Sequence, residues 1–163
     1  MKKNILSICM AGVLLGFSSC ASTKNVAEIS SVDGEWNIIE IDGATVVPAP
    51  RQPFPFISFN IQTGMVYGNS GCNRLTGTFD VKAKPGILNL HMLGSTRMAC
   101  PDMTVENKVL AALGRVKRYR KLDMKNVALY GSSKRVIIIL QKKTSGREMP
   151  PVLQVEDIVE AGF

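Results

Sequence analysis

The sequence predicts a mainly β, α+β domain: an antiparallel sheet of about eight strands with one helix packed on it. Three observations carry that expectation. Between Gly34 and Leu93, short alternating apolar runs are punctuated by Gly, Pro and Asn turn signals. One stretch, after Pro101-Asp102, repeats its apolar residues at helical spacing, through Val105, Val109, Leu110, Leu113 and Val116. A later run, Val136-Ile137-Ile138-Ile139-Leu140, is apolar on both faces and reads as a central strand.

The first strand begins at Gly34-Glu35-Trp36, places Trp36, Ile38 and Glu40 on one face, and ends at Asp42-Gly43. Pro48, Pro50, Pro53 and Pro55 then make an irregular loop, because proline removes a ladder donor and biases its predecessor away from helix. Strands over 56–61 and 65–68 form a hairpin around Gln62-Thr63-Gly64, and strands over 76–81 and 87–93 form a second around Lys84-Pro85-Gly86. These four runs predict an antiparallel meander. Asp102 or Thr104 can cap the helix and Gly114 can end it, leaving its apolar face to cover the sheet. Strands over 116–122, 127–130 and 134–142 complete the set.

A different kind of segment precedes this domain. Lys2 and Lys3, an apolar stretch over 5–17 and Ser18-Ser19 before Cys20 have the layout of a secretory signal peptide. The apolar stretch is shorter than the ~20 residues of a spanning helix. Phe17-Ser18-Ser19-Cys20 resembles a lipobox, where bacterial lipoproteins are acylated and cut. Residues 1–19 are thus expected to be removed, 20–32 to form a lipidated tether, 33–143 to fold, and 144–163 to form a tail with a possible edge strand. With no Asp after Cys20, the pattern points to the outer membrane, facing the periplasm.

The formal charge is +7, and residues 1–19 carry two of the lysines and no acid. The rest is uneven: residues 115–147 hold eleven basic side chains and one acidic, whereas 148–163 hold no basic and four acidic. Cys9 leaves with the signal and Cys20 takes lipid. Cys72 and Cys100 remain, in a compartment that oxidises thiols, and are expected to be bridged.

Gly34-Glu35-Trp36, Gly68-Asn69-Ser70-Gly71-Cys72-Asn73-Arg74 and Ser95-Thr96-Arg97-Met98-Ala99-Cys100-Pro101, in that order before a helix, resemble the META domain, the HslJ-like family. The resemblance implies a compact antiparallel β domain with one helix, similar in outline to the cracked barrels of secretin pilot lipoproteins. It implies no established reaction, only an association with heat stress and novobiocin resistance.

Cys72 as a nucleophile with His91 as base would need a lowered thiol pKa and an imidazole within reach, but His91 lies among strand residues and the thiol is expected in a disulfide. Cys72, His91 and Cys100 lack the close-spaced pairs of a zinc site, so neither metal nor cofactor is expected. Arg74 and Arg97 could share a carboxylate or phosphate, or could each bond loop carbonyls near the cysteines. Arg115, Lys117, Arg118, Arg120 and Lys121 have the density of a nucleic-acid patch, yet export argues against that partner. They could meet anionic headgroups, or form a solvated face partly neutralised by the acidic tail. The expected function is a non-catalytic, lipid-anchored envelope module, with a lipid or envelope-protein partner, that supports integrity under stress. The alternative is an envelope enzyme or thiol-redox protein using Cys72 and Cys100.

Overall fold

The computed structural model describes residues 28–144. The signal segment, Cys20 and the acidic tail lie outside them. Nine strands and one helix follow in order: β1 (Gly34–Ile41), β2 (Ala44–Thr45), β3 (Phe56–Asn60), β4 (Met65–Asn69), β5 (Arg74–Phe79), β6 (Leu90–Ser95), α1 (Thr104–Leu113), β7 (Arg118–Lys121), β8 (Asn126–Tyr130) and β9 (Val136–Lys142). The strands form one antiparallel sheet in the order β6-β5-β4-β3-β1-β9-β8-β7, with β2 added to β1. It curls into a half-barrel. The expected meander is β3 to β6, and the doubly apolar run is central, between β1 and β8.

The curl has local causes. Gly68 on β4 lies so close to β3 that a Cβ there would stand 2.2 Å from the Phe56 carbonyl oxygen, so only glycine allows this approach. Leu88, fully buried, donates its N–H to the Lys117 carbonyl, and Ile87 bridges to Arg118. The chain just before β6 thus reaches the opposite end of the sheet. Residues 87–89, expected to be strand, make that crossing, and β6 pairs with β5 only from Leu90 on.

On β1 a bulge changes which residues face inward. Ile38 pairs with Leu140 and Glu40 with Ile139, leaving Ile39 as the extra residue. Trp36 and Ile38 are buried as alternation predicts, but the next buried residue is Ile41 and not Glu40. Asp42 and Gly43 both have positive φ (50° and 85°), the turn geometry that suits a two-residue hairpin, and they lead into β2, which alternation did not reveal.

The expected tether ends earlier than Val32. Ile29–Val32 forms a turn of 3-10 helix, Val32 is fully buried, and the Trp36 indole N–H donates to its carbonyl at 2.7 Å. Burial of that side chain makes the turn part of the domain. α1 packs on β1 through Val109, Ala112 and Leu113. Its first turn is closed by Asp102, whose Oδ1 accepts the Thr104 N–H at 2.7 Å. Gly114 follows the last turn in right-handed geometry, donating to the Leu110 carbonyl.

Candidate functional site

The two cysteine motifs lie against each other beside the start of α1. Cys72 and Cys100 form a disulfide with a Cα–Cα distance of 6.1 Å, as expected from the cysteine count. Gly71 has a φ of 120°, which favours glycine, and its N–H bonds Asn69 Oδ1. Ser70, completely buried, donates its N–H and its hydroxyl to the Asn73 carbonyl. This turn points the Asn73 side chain inward.

Asn73 is the hub of the motif. Its Oδ1 accepts the Thr96 hydroxyl at 2.7 Å and the Met98 N–H at 2.7 Å. Its Nδ2 donates to the Met98 carbonyl at 3.1 Å and to Glu106 Oε1 at 2.7 Å, and its backbone N–H donates to Glu106 Oε2 at 2.8 Å. Glu106 is 3% exposed, so two N–H groups in place of water solvate its carboxylate. The side-chain hydrogen-bonding capacity of Asn73 is filled. This network ties the motif after β4, the motif after β6 and the helix into one unit. The sequence motif contains Asn73 without a role for its side chain, and Glu106 lies outside every motif. A signal existed: Glu106, Val109 and Leu113 share one helical stripe, so a lone carboxylate stood on the apolar face.

The remaining candidates separate. His91 is exposed on β6 opposite Thr78, and Cys72 is held in the disulfide, so they do not make a thiol–imidazole pair. No group of three or more His, Cys, Asp or Glu among the described residues could hold a metal ion. Arg74 and Arg97 sit in neighbouring segments, joined by the Thr96 N–H to the Arg74 carbonyl, and both are exposed. The carbonyl-binding role expected of them falls instead to Arg118, whose guanidinium bonds the carbonyls of Gly131, Ser132 and Ser133 at 3.3, 3.2 and 2.6 Å. That latch holds the turn between β8 and β9.

The late basic segment does not form one face. Arg115 pairs with Asp42 at 2.6 Å. Lys142 reaches the Asp33 carbonyl and lies 4.6 Å from the Trp36 ring centroid, while Lys143 pairs with Glu35 at 3.0 Å and sits over Phe56. On β7, Tyr119 points into the core, so Arg118 and Arg120 take the other face. Arg120 and Lys134 line a shallow depression with Tyr130. Lys117 and Arg135 line a second hollow beside Arg115, and Lys121 a third beside Glu28 and Asp123. Hydrogen bonds from Thr104 hold the Asp102 carboxyl below its ordinary pKa, and a bond from Asn126 does the same for Asp123. Burial pushes the Tyr119 phenol above its ordinary value.

A family model described as the META domain matches residues 26–144. A protein from Burkholderia xenovorans solved by NMR has a TM-score of 0.51 and 21% identity, covering 88% of this chain and 99% of that one. Another protein solved by NMR has a TM-score of 0.51 and 22% identity, covering 68% of this chain and 89% of that one. At such identities the likeness shows the fold. No curated protein matches the chain.

Proposed function

We propose that this chain, which belongs to the META domain family, is anchored through acyl chains on Cys20 to the outer membrane, faces the periplasm, and acts there as a non-catalytic binding module that supports the envelope under stress. The observation that carries the reading is the closed, disulfide-locked hub. Cys72 is bridged and Asn73 and Glu106 bond each other, so the polar groups of the motifs hold the fold together. A disulfide also suits the oxidising compartment to which the N-terminal segment would send the chain. A diacylglycerol thioether plus an N-acyl chain exceeds the two signals that stable anchoring requires.

Lys117, Arg120, Lys121, Lys134 and Arg135 are exposed around three hollows, and each adds about 1 kcal/mol of attraction where it meets anionic headgroups. An envelope-protein partner would read the same charges. The test compares a strain lacking the protein with strains restored by the native chain or by Cys20→Ser, under heat and detergent stress. The reading expects sensitivity in the deletion and rescue only by the chain that can be acylated. Full rescue by Cys20→Ser, or no sensitivity in the deletion, would oppose it.

A further inference from the structure

Two hollows meet along the Asp42–Arg115 ion pair, which lines both of them. The first, ≈ 540 Å³, runs between α1 and the β1–β2 hairpin and is walled by Val46, Val47, Val105 and Ala111. Its size lies within the range of small-molecule sites. Val47 is 70% exposed, an apolar side chain left in water at the mouth of a concave surface. The second hollow, ≈ 530 Å³, is lined by Lys117, Arg135, Ser132 and Ser133.

The charges around the pair are uneven. Asp42 is neutralised by Arg115. Lys108 in the first hollow and Lys117 and Arg135 in the second are exposed cations with no ion pair among the described residues. Asp102 lines the first hollow too, and its hydrogen bonds to Thr104 keep it ionised. Lys108 offsets Asp102 in the first hollow and Arg115 offsets Asp42 between the two, so the unbalanced positive charge that draws an anion lies at Lys117 and Arg135.

We propose that the double hollow binds one lipid anion, its acyl chain against the apolar wall between α1 and the β1–β2 hairpin and its phosphate over Lys117 and Arg135. An apolar chain that carries one anion matches an apolar wall beside two unpaired cations. Val46, Val47, Val105 and Ala111 give the chain apolar contact, the unpaired cations lie in the adjoining hollow, and an acidic peptide is the competing occupant that the test includes. The proposal rests on the binding-module reading by naming its ligand class, and it does not depend on acylation of Cys20.

The mature chain, residues 20–163 with Cys20→Ser, purified without detergent, is titrated calorimetrically with lysophosphatidylglycerol below its micelle concentration. Lysophosphatidylcholine of the same chain length, inorganic phosphate and an acidic Glu/Val peptide are the comparison probes. The proposal expects saturable one-to-one binding of the anionic lysolipid, tenfold or more tighter than each comparison probe. Lys117→Ala with Arg135→Ala should weaken that binding by about 30-fold, or about fivefold per charge. Ala111→Trp, which fills the apolar wall from an exposed helix position, should abolish it, and Lys121→Ala should leave it unchanged. Equal binding of both lysolipids, phosphate binding as tight as the lysolipid, tighter binding of the peptide, or indifference to both sets of variants would overturn the proposal. None of those results bears on whether Cys20 is acylated, so the two readings fail separately.

Discussion

Replacing Glu106 by glutamine keeps the shape of the side chain and exchanges one acceptor oxygen for a donor. In the native hub both carboxylate oxygens accept from Asn73, at 2.7 Å from Nδ2 and 2.8 Å from the backbone N–H. A glutamine can accept only one of these and sets its own N–H₂ against the other. Asn73 cannot turn over to compensate, because its Oδ1 is held by the Thr96 hydroxyl and the Met98 N–H. The change removes a charge-assisted bond and leaves a buried donor unsatisfied, so the expected loss is about 2–4 kcal/mol. That is a large part of the ~5–15 kcal/mol that holds a domain of this size. Urea unfolding with the disulfide intact, followed by fluorescence of the single tryptophan, Trp36, reads it directly. In an Asn73→Ala background the same substitution should cost much less, because the Nδ2 donor is gone and the glutamine oxygen can accept the backbone N–H that remains. A loss under about 0.5 kcal/mol in the native background, or equal losses in both backgrounds, would refute the hub.

Three further outcomes follow from the same geometry. Reducing the Cys72–Cys100 bond, which spans a sequence separation of 28, should lower stability by about 3.5 kcal/mol in the chain-entropy model; in the unreduced native protein both cysteines should resist alkylation, and free thiols there would remove the bridge. Gly68→Ala should destabilise by about 1–3 kcal/mol through overpacking against the Phe56 carbonyl, read by thermal melting, and an unchanged midpoint would show that the curl does not need glycine. Tyr119 should ionise above the ordinary tyrosine range in an alkaline titration of tyrosinate absorbance. Its folded pKa is raised by burial above the ordinary value of 10.0, so the stability it contributes is complete below that pH and is lost as pH rises through the folded pKa. Tyr119→Phe should remove that late step, and a titration curve without a late step, or one that keeps it in Tyr119→Phe, would contradict the assignment.

Much of the fold was legible because alternation and turn chemistry agree in it. The 65–68 run, the helix after Asp102 and the central 136–140 strand all appear close to where apolar spacing puts them. Alternation failed at backbone irregularities. The extra residue at Ile39 moves Ile41 inward in place of Glu40, and a register shift between Thr76 and Thr78 accompanies the displacement of β6. Bulges leave no period-2 signature. In the site, the disulfide followed from cysteine counting, whereas the fate of each arginine did not. Arg115 depends on Asp42 and Arg118 on the carbonyls of Gly131 to Ser133, partners set by tertiary packing. Glu106 was readable from the helix stripe alone, although its partner Asn73 lies 33 residues away.

Mass analysis of the N-terminal tryptic peptide of the native protein, taken from the membrane fraction, tests the anchored-module account most directly. Trypsin cuts after Lys24, so the peptide is 20–24 if the signal has been removed before Cys20. The account predicts a peptide that begins at Cys20 and carries a diacylglycerol thioether with a further acyl group on its amine. An unmodified Cys20, or a mature chain that begins elsewhere and is recovered free of the membrane, would contradict it.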